Sequence, residues 1–198
     1  RLLASRNVSS EALELVAERA SENIGELVAA SDSVLLRFPR VIERLYMNKR
    51  VRMSTADRLV DLAVRNNLEL NIPAFKQAAA AIQNQLIPEQ TEEPSYDDEL
   101  FQQVEQLSAE IEVAEEEDTH DVDDEGEEQV KEKFQPLHTQ LSNMTVSQKI
   151  RRATLGNSAE RMLLVRDRNR LVATAAAASP LLKDNDAVLI SASRSVID

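Results

Sequence analysis

Residues 89–128 hold nineteen Asp or Glu and not one Lys or Arg. So many like charges repel at helical spacing, so this stretch is expected to divide the chain, with everything else arranged on either side of it. The other 158 residues carry all 23 bases and 16 acids. The formal charge of −12 is therefore the sum of an acidic middle and a mildly basic remainder.

The apolar residues outside that stretch point to helices. Aromatics make up only 3% of the chain and Trp is absent, so Ala, Leu, Val and Ile must fill the core, as suits close helix-on-helix packing. Three glycines and six prolines leave little for tight hairpins or phosphate-cradling loops. Cys is absent, which removes disulfides, thiolate zinc sites and cysteine nucleophiles, and fits a cytoplasmic protein. No run approaches the roughly 18 consecutive apolar residues of a membrane span. A start at Arg1 and an end within a helical pattern lead us to expect a piece of a longer protein.

Hydrophobic spacing and caps predict helices over 9–20, 21–30 with Ile24, Leu27 and Val28 inward, and 34–47, where Pro39 either kinks the helix or opens a new one. Ser54 with Asp57 has capping-box spacing, and a helix follows toward Asn66 and Asn67. Pro73 opens an alanine-rich helix over 74–86. Beyond the acidic stretch, Thr145 with Gln148 forms another capping box, Gly156 and Asn157 read as a C-cap, Ser158 starts a helix, 171–178 is an alanine-rich helix, and Asp184 caps the last one. The expected organisation is an N-terminal helical block over 1–88, an acidic linker over 89–144, and a C-terminal helical block over 145–198 that is cut short.

The blocks echo each other. "ASRNV" at 4–8 matches "ASRSV" at 192–196, with "MNKRV" at 47–51 a looser third copy, and "VLLRFPRVIERL" from Val34 parallels "MLLVRDRNRLVA" from Met162. Self-similarity at a spacing of roughly 40 residues marks helical repeats that bury their faces only against neighbours. On these residues, and on "TVSQKIRRATLGNSAERMLLVRD", the chain resembles a HEAT-like or leucine-rich-repeat-variant α-solenoid, similar to uncharacterised bacterial helical-repeat proteins. The resemblance implies an all-α array of short antiparallel helices interrupted by the acidic insertion, and is nearly silent on function. The competing expectation is an irregular helical bundle.

Within the insertion, Ser95 and Asp98 can cap a helix over 97–114 whose stripe includes Phe101, Val104, Leu107 and Ile111, suited to docking in a groove of this chain or a partner's. Ten acids in 14 residues predict disorder over 115–128. Asp121, Asp123, Glu125, Gly126 and Glu132 match EF-hand loop spacing, but Glu128 at an aliphatic position and the lack of a second loop argue against a calcium site, and no metal or cofactor is expected.

Bases that could face a polyanion are Arg37, Arg40, Arg44 and Arg50 before the insertion. Arg151, Arg152, Arg166, Arg168 and Arg170 follow it. Stacking aromatics are missing, so a nucleic-acid-binding module restrained by its acidic tether is the alternative, and a non-enzymatic scaffold binding another protein, with no membrane role, is the expectation. With two histidines in or beside the linker and no nucleophile motif, no catalytic site is expected.

Overall fold

The structure, a computed structural model, describes residues 9–83, 85, 87, 91, 93–111, 117–123 and 126–193. The sequence echo at 4–8, the end of its counterpart at 194–196, the linker positions 112–116 and Glu125 lie outside the described residues.

The described chain is mostly helical. Helices α1 (Ser10–Arg19), α2 (Glu22–Ala29), α3 (Asp32–Arg37), α4 (Pro39–Met47), α5 (Met53–Arg65) and α6 (Phe75–Ile82) precede the insertion. Helix α7 (Tyr96–Glu110), strands β1 (His120–Val122) and β2 (Glu128–Val130) and a short 3-10 turn (Glu132–Phe134) lead to α8 (Gln135–Ser142). Helices α9 (Val146–Leu155), α10 (Ser158–Leu164), α11 (Arg170–Ala177) and α12 (Asp184–Ala192) follow. No described helix is long and apolar enough to cross a membrane.

Local chemistry accounts for many of the boundaries. The Ser9 hydroxyl accepts from the Ala12 N–H at 3.2 Å, and Pro39 opens α4 rather than kinking a longer helix, because its missing N–H costs nothing in a first turn. The capping boxes at Ser95/Asp98 and Thr145/Gln148 are both formed.

The capping box expected at Ser54 and Asp57 is not. Helix α5 starts one residue earlier, at Met53, and the Ser54 N–H and hydroxyl donate to Asp98 of α7 at 2.8 and 3.0 Å. An acid from a neighbouring helix thus fills the open N–H groups of the first turn, while also accepting from the N–H and hydroxyl of its own cap, Ser95, at 2.8 and 2.7 Å. Burial by itself would raise the Asp98 carboxyl, but these four donors outweigh it and hold it below the usual carboxylate range.

Helix α2 is rotated from its expected face. Gly25, Val28 and Ala29 are buried, while Ile24 and Leu27 remain 47% and 65% exposed. The smaller face goes inward because a Cβ on Gly25 would come within 2.9 Å of Val51 Cγ2, so only glycine lets α2 sit this close. Helix α6 is shorter than its alanine run suggested, and its lead-in residue Ala74 takes the left-handed conformation at φ 57°.

A single cluster of buried side chains runs from Leu13 in α1 to Ala176 in α11. Helix α6 packs on both α9 and α11, so the segments on either side of the insertion meet directly. Helix α7 packs on α5 and α8, with Phe101 and Val104 fully buried and Leu107 and Ile111 against the same core. The linker helix therefore docks on its own chain.

The run expected to lack structure contains an antiparallel hairpin in which His120, Asp121 and Val122 pair with Val130, Gln129 and Glu128. Its charges are met by Arg166, distant in sequence, and by two lysines just beyond β2. Asp118 and Glu128 pair with Arg166 at 3.0 and 3.2 Å, Glu117 with Lys133 at 3.0 Å, and Asp121 with Lys131 at 3.6 Å. The self-repulsion behind the expectation of disorder is offset by these partners.

Replacing Asp98 by Ala removes the shared acceptor of α5 and α7 and leaves buried donors unmet, so urea denaturation is expected to show a loss of about 3 kcal/mol. A loss below about 1 kcal/mol would mean that water serves these helix ends as well as the carboxylate does.

Candidate functional site

The α9 capping box sets the helix phase so that the adjacent residues Arg151 and Arg152 both point inward, and both are buried. Arg151 lies beside the Tyr46 and Phe101 rings at 5.5 and 5.0 Å. Its Nε donates to the Tyr46 carbonyl at 3.2 Å, Nη2 to that of Asn48 at 2.9 Å, and Nη1 to those of Val51 and Arg52 at 3.1 and 3.3 Å. The carbonyls at the end of α4 and in the turn into α5 converge on this one guanidinium; those of Asn48 and Arg52 also accept from the Val51 and Ala56 N–H groups, and a carbonyl has lone pairs for both. Desolvation lowers Arg151 to about 10, which leaves it charged at neutral pH.

Arg152 binds Glu160 of α10 through two nitrogens and Glu105 of α7 through the third. The Ser108 hydroxyl of α7 also donates to Glu160, and Lys49 reaches Glu105 at 2.9 Å. Burial opposes the charge on Arg152, but the carboxylates of Glu160 and Glu105 outweigh it and raise its affinity for the proton. Gly156 is needed at the corner, because a Cβ there would lie 2.3 Å from Glu160 Oε2 and 2.5 Å from the Arg152 carbonyl. Asn157 is not part of a C-cap. It is the N-cap of α10, forming a capping box with Glu160. That Asn-x-x-Glu spacing was the overlooked signal.

Arg151 and Arg152 are thus struts of the core, and the expectation that they could face a polyanion is corrected by their burial. Arg166 is also engaged: its side chain is 4% exposed, and besides Asp118 and Glu128 it donates to the Met162 carbonyl at 3.1 Å. Arg37, Arg40, Arg44, Arg50, Arg168 and Arg170 are exposed. Arg37 stacks at 5.0 Å from the Phe38 ring and Arg44 lies 3.7 Å from Glu18.

Arg166 and Arg168 line a cavity of about 450 Å³ with His120 of β1, His138 of α8, Lys149 of α9 and Asp167. Leu141, Leu163 and Leu164 supply apolar lining. Lys149 pairs with Asp167 at 2.9 Å. Burial, aided by the Arg166 charge, pushes His120 down to about 4, so it faces the cavity as a neutral ring whose Nδ1 lies 2.9 Å from the Thr119 hydroxyl. The histidines and Lys149 come from three separate elements, and no local spacing in the sequence relates them.

The EF-hand spacing is not gathered into a loop around an ion. Asp121 lies in β1, and Asp123 closes the hairpin by accepting from the Glu127 N–H at 2.8 Å and the Gln129 amide at 2.8 Å. Glu132 lies beyond β2 in the 3-10 turn. Among the described residues no group of three His, Asp or Glu is placed to hold a metal.

No protein-family model, curated protein or solved structure matches this chain. The chemistry available is therefore read from these side chains alone: a closed arginine network in the core, and one concave basic site walled on one side by the acidic hairpin.

Two outcomes follow from the network and its seam. Glu160→Gln keeps the shape but leaves Arg152 short of its charge partner, so denaturation should show a loss of about 3 kcal/mol, with part of it recovered when Arg152→Met is added to Glu160→Leu. At the α5–α9 seam Asp57 accepts from the Ser147 hydroxyl at 3.2 Å, and burial pushes its carboxyl up to about 7. Unfolded Asp titrates near 3.9, so the folded state holds the proton more tightly, and this stabilisation is full below about pH 4 and lost as pH rises through about 7. Urea midpoints at about pH 5 and about pH 8 should differ less in Asp57→Asn than in the native chain. An unchanged difference would remove Asp57 from the account.

Proposed function

We propose that the chain is a non-enzymatic helical-repeat scaffold, HEAT-like in arrangement, whose work is protein–protein contact. The observation that carries the reading is where large apolar side chains stay exposed. Of eleven such residues among those described, Leu15, Val16, Ile24, Leu27 and Leu36 all fall in α1–α3. Leu181 and Val188, exposed by 50% and 65%, lie at the other end of the helix order. At the N-terminal end α1 packs on α4 and α4 on α5, α6 meets α9 and α11 in the middle, and at the C-terminal end α12 packs on α10. An array built this way buries each face against the next unit, so its end units keep apolar surface for another helical face.

The occupant that fits both ends is a second copy of this chain. A head-to-tail contact joins α1–α3 of one molecule to the α12 end of the next, in keeping with the sequence echo between 4–8 and 192–196. A nucleic-acid module draws less support, since Arg151, Arg152 and Arg166 are occupied within the protein.

Sedimentation equilibrium over a wide concentration range tests the contact. The native chain is expected to associate, and Ile24→Glu with Leu27→Glu, both on the exposed side of α2, should abolish association by at least about tenfold in dissociation constant without lowering the melting temperature. A native chain that stays monomeric throughout would refute self-association through these faces.

A further inference from the structure

The cavity beside Arg166 is independent of the end faces. We propose that it is a binding site for a small phosphomonoester with an apolar body, its charged head taken by Arg168, His138 and Lys149 and its body by Leu141, Leu163 and Leu164.

The argument begins with how the donors are assembled. Lys149 belongs to α9, His138 to α8, His120 to β1, and Arg166 and Arg168 to the turn between α10 and α11. A row of bases along one helix is an ordinary solvated face. Cationic and imidazole groups brought from four segments to one concave space can reach a single small anion together, which a row along one helix cannot.

Several of these charges are already offset. Asp167 takes up Lys149, while Asp118 and Glu128 take up Arg166. Arg168 is different: it is exposed and forms no ion pair among the described residues, and the His138 ring makes no hydrogen bond among them. The uncompensated donors of the cavity are therefore a guanidinium and an imidazole, with an ammonium beside them that can share a second acceptor.

Those donors suit a phosphate better than a carboxylate. A carboxylate is planar and is satisfied by one guanidinium fork, whereas phosphate presents three terminal oxygens in different directions to separate donors. The size argues for more than the anion. A cavity of about 450 Å³ lies within the range of sites for small organic ligands, and the leucines would be wasted on inorganic phosphate.

The hairpin is part of the site. Asp118 lies two residues before β1 and Glu128 begins β2, and both hold Arg166 while His120 contributes to the wall. The acidic insertion thus holds one arginine of the cavity lining, Arg166, in ion pairs, and leaves Arg168 to receive the ligand.

Isothermal titration calorimetry on the full chain, with naphthyl phosphate, naphthol and inorganic phosphate as probes, tests the proposal. Naphthyl phosphate is expected to bind at micromolar to low-millimolar concentration, with the other two weaker by about tenfold or more. Arg168→Ala should weaken naphthyl phosphate by about tenfold, while Arg170→Ala, an exposed arginine two residues on that does not line the cavity, should leave it unchanged. Equal losses in the two variants would show attraction to general surface charge and overturn the proposal. So would equal binding of naphthol, or no heat from naphthyl phosphate at saturating concentration. Unchanged thermal melting of both variants separates these results from misfolding.

Discussion

The fully enclosed guanidinium of Arg151 donates to the backbone carbonyls of Tyr46, Asn48, Val51 and Arg52, about a hundred residues away in the chain. Those carbonyls end α4 and form the turn into α5, where the regular ladder of helix hydrogen bonds is interrupted and lone pairs remain for a side-chain donor. The next residue, Arg152, turns to Glu160 and Glu105 and so ties α9 to α10 and α7. Two neighbouring side chains of one helix thereby join the N-terminal helices, the insertion and the C-terminal helices. A charge this deeply buried is tolerable only when carbonyls or carboxylates meet it, which makes the surrounding geometry strict: Gly156 must lack a side chain, and Asn157 caps α10 through a box with Glu160.

The acidic insertion is built into this frame. Its first part supplies Phe101 and Val104 to the core, Asp98 to two helix N-termini, and Glu105 and Ser108 to the arginine network. Its second part folds back as a hairpin against Arg166. The large opposing charges of the sequence are thus partly spent on specific pairs. What the insertion leaves open is the basic cavity, lined by residues that share no local pattern.

Much of the local structure was legible before any coordinates. The caps at Ser95 and Thr145 and the apolar stripe from Phe101 to Ile111 depend on groups near each other in the chain, and short-range chemistry of that kind is written in the order of residues; at Pro39 it left a kink and a new helix equally open. Errors arose where a distant group competed. Ser54 found Asp98 instead of Asp57, and α2 turned Gly25 inward because Val51 required it. The hairpin formed where repulsion alone predicted none, because Arg166 from a remote segment and Lys133 just beyond β2 lie alongside.

By itself, then, the sequence determined that the chain is helical, where most helices start, and that an acidic segment with one amphipathic helix lies between two sets of them. Tertiary structure alone decided the fate of the arginines. Arg151, Arg152, Arg166 and Arg168 have the same side chain in similar polar surroundings of sequence, yet two became core struts, one a clamp on the hairpin and one an open donor. Whether a guanidinium is buried depends on whether carbonyls and carboxylates from remote segments converge on it, and that convergence exists only in three dimensions.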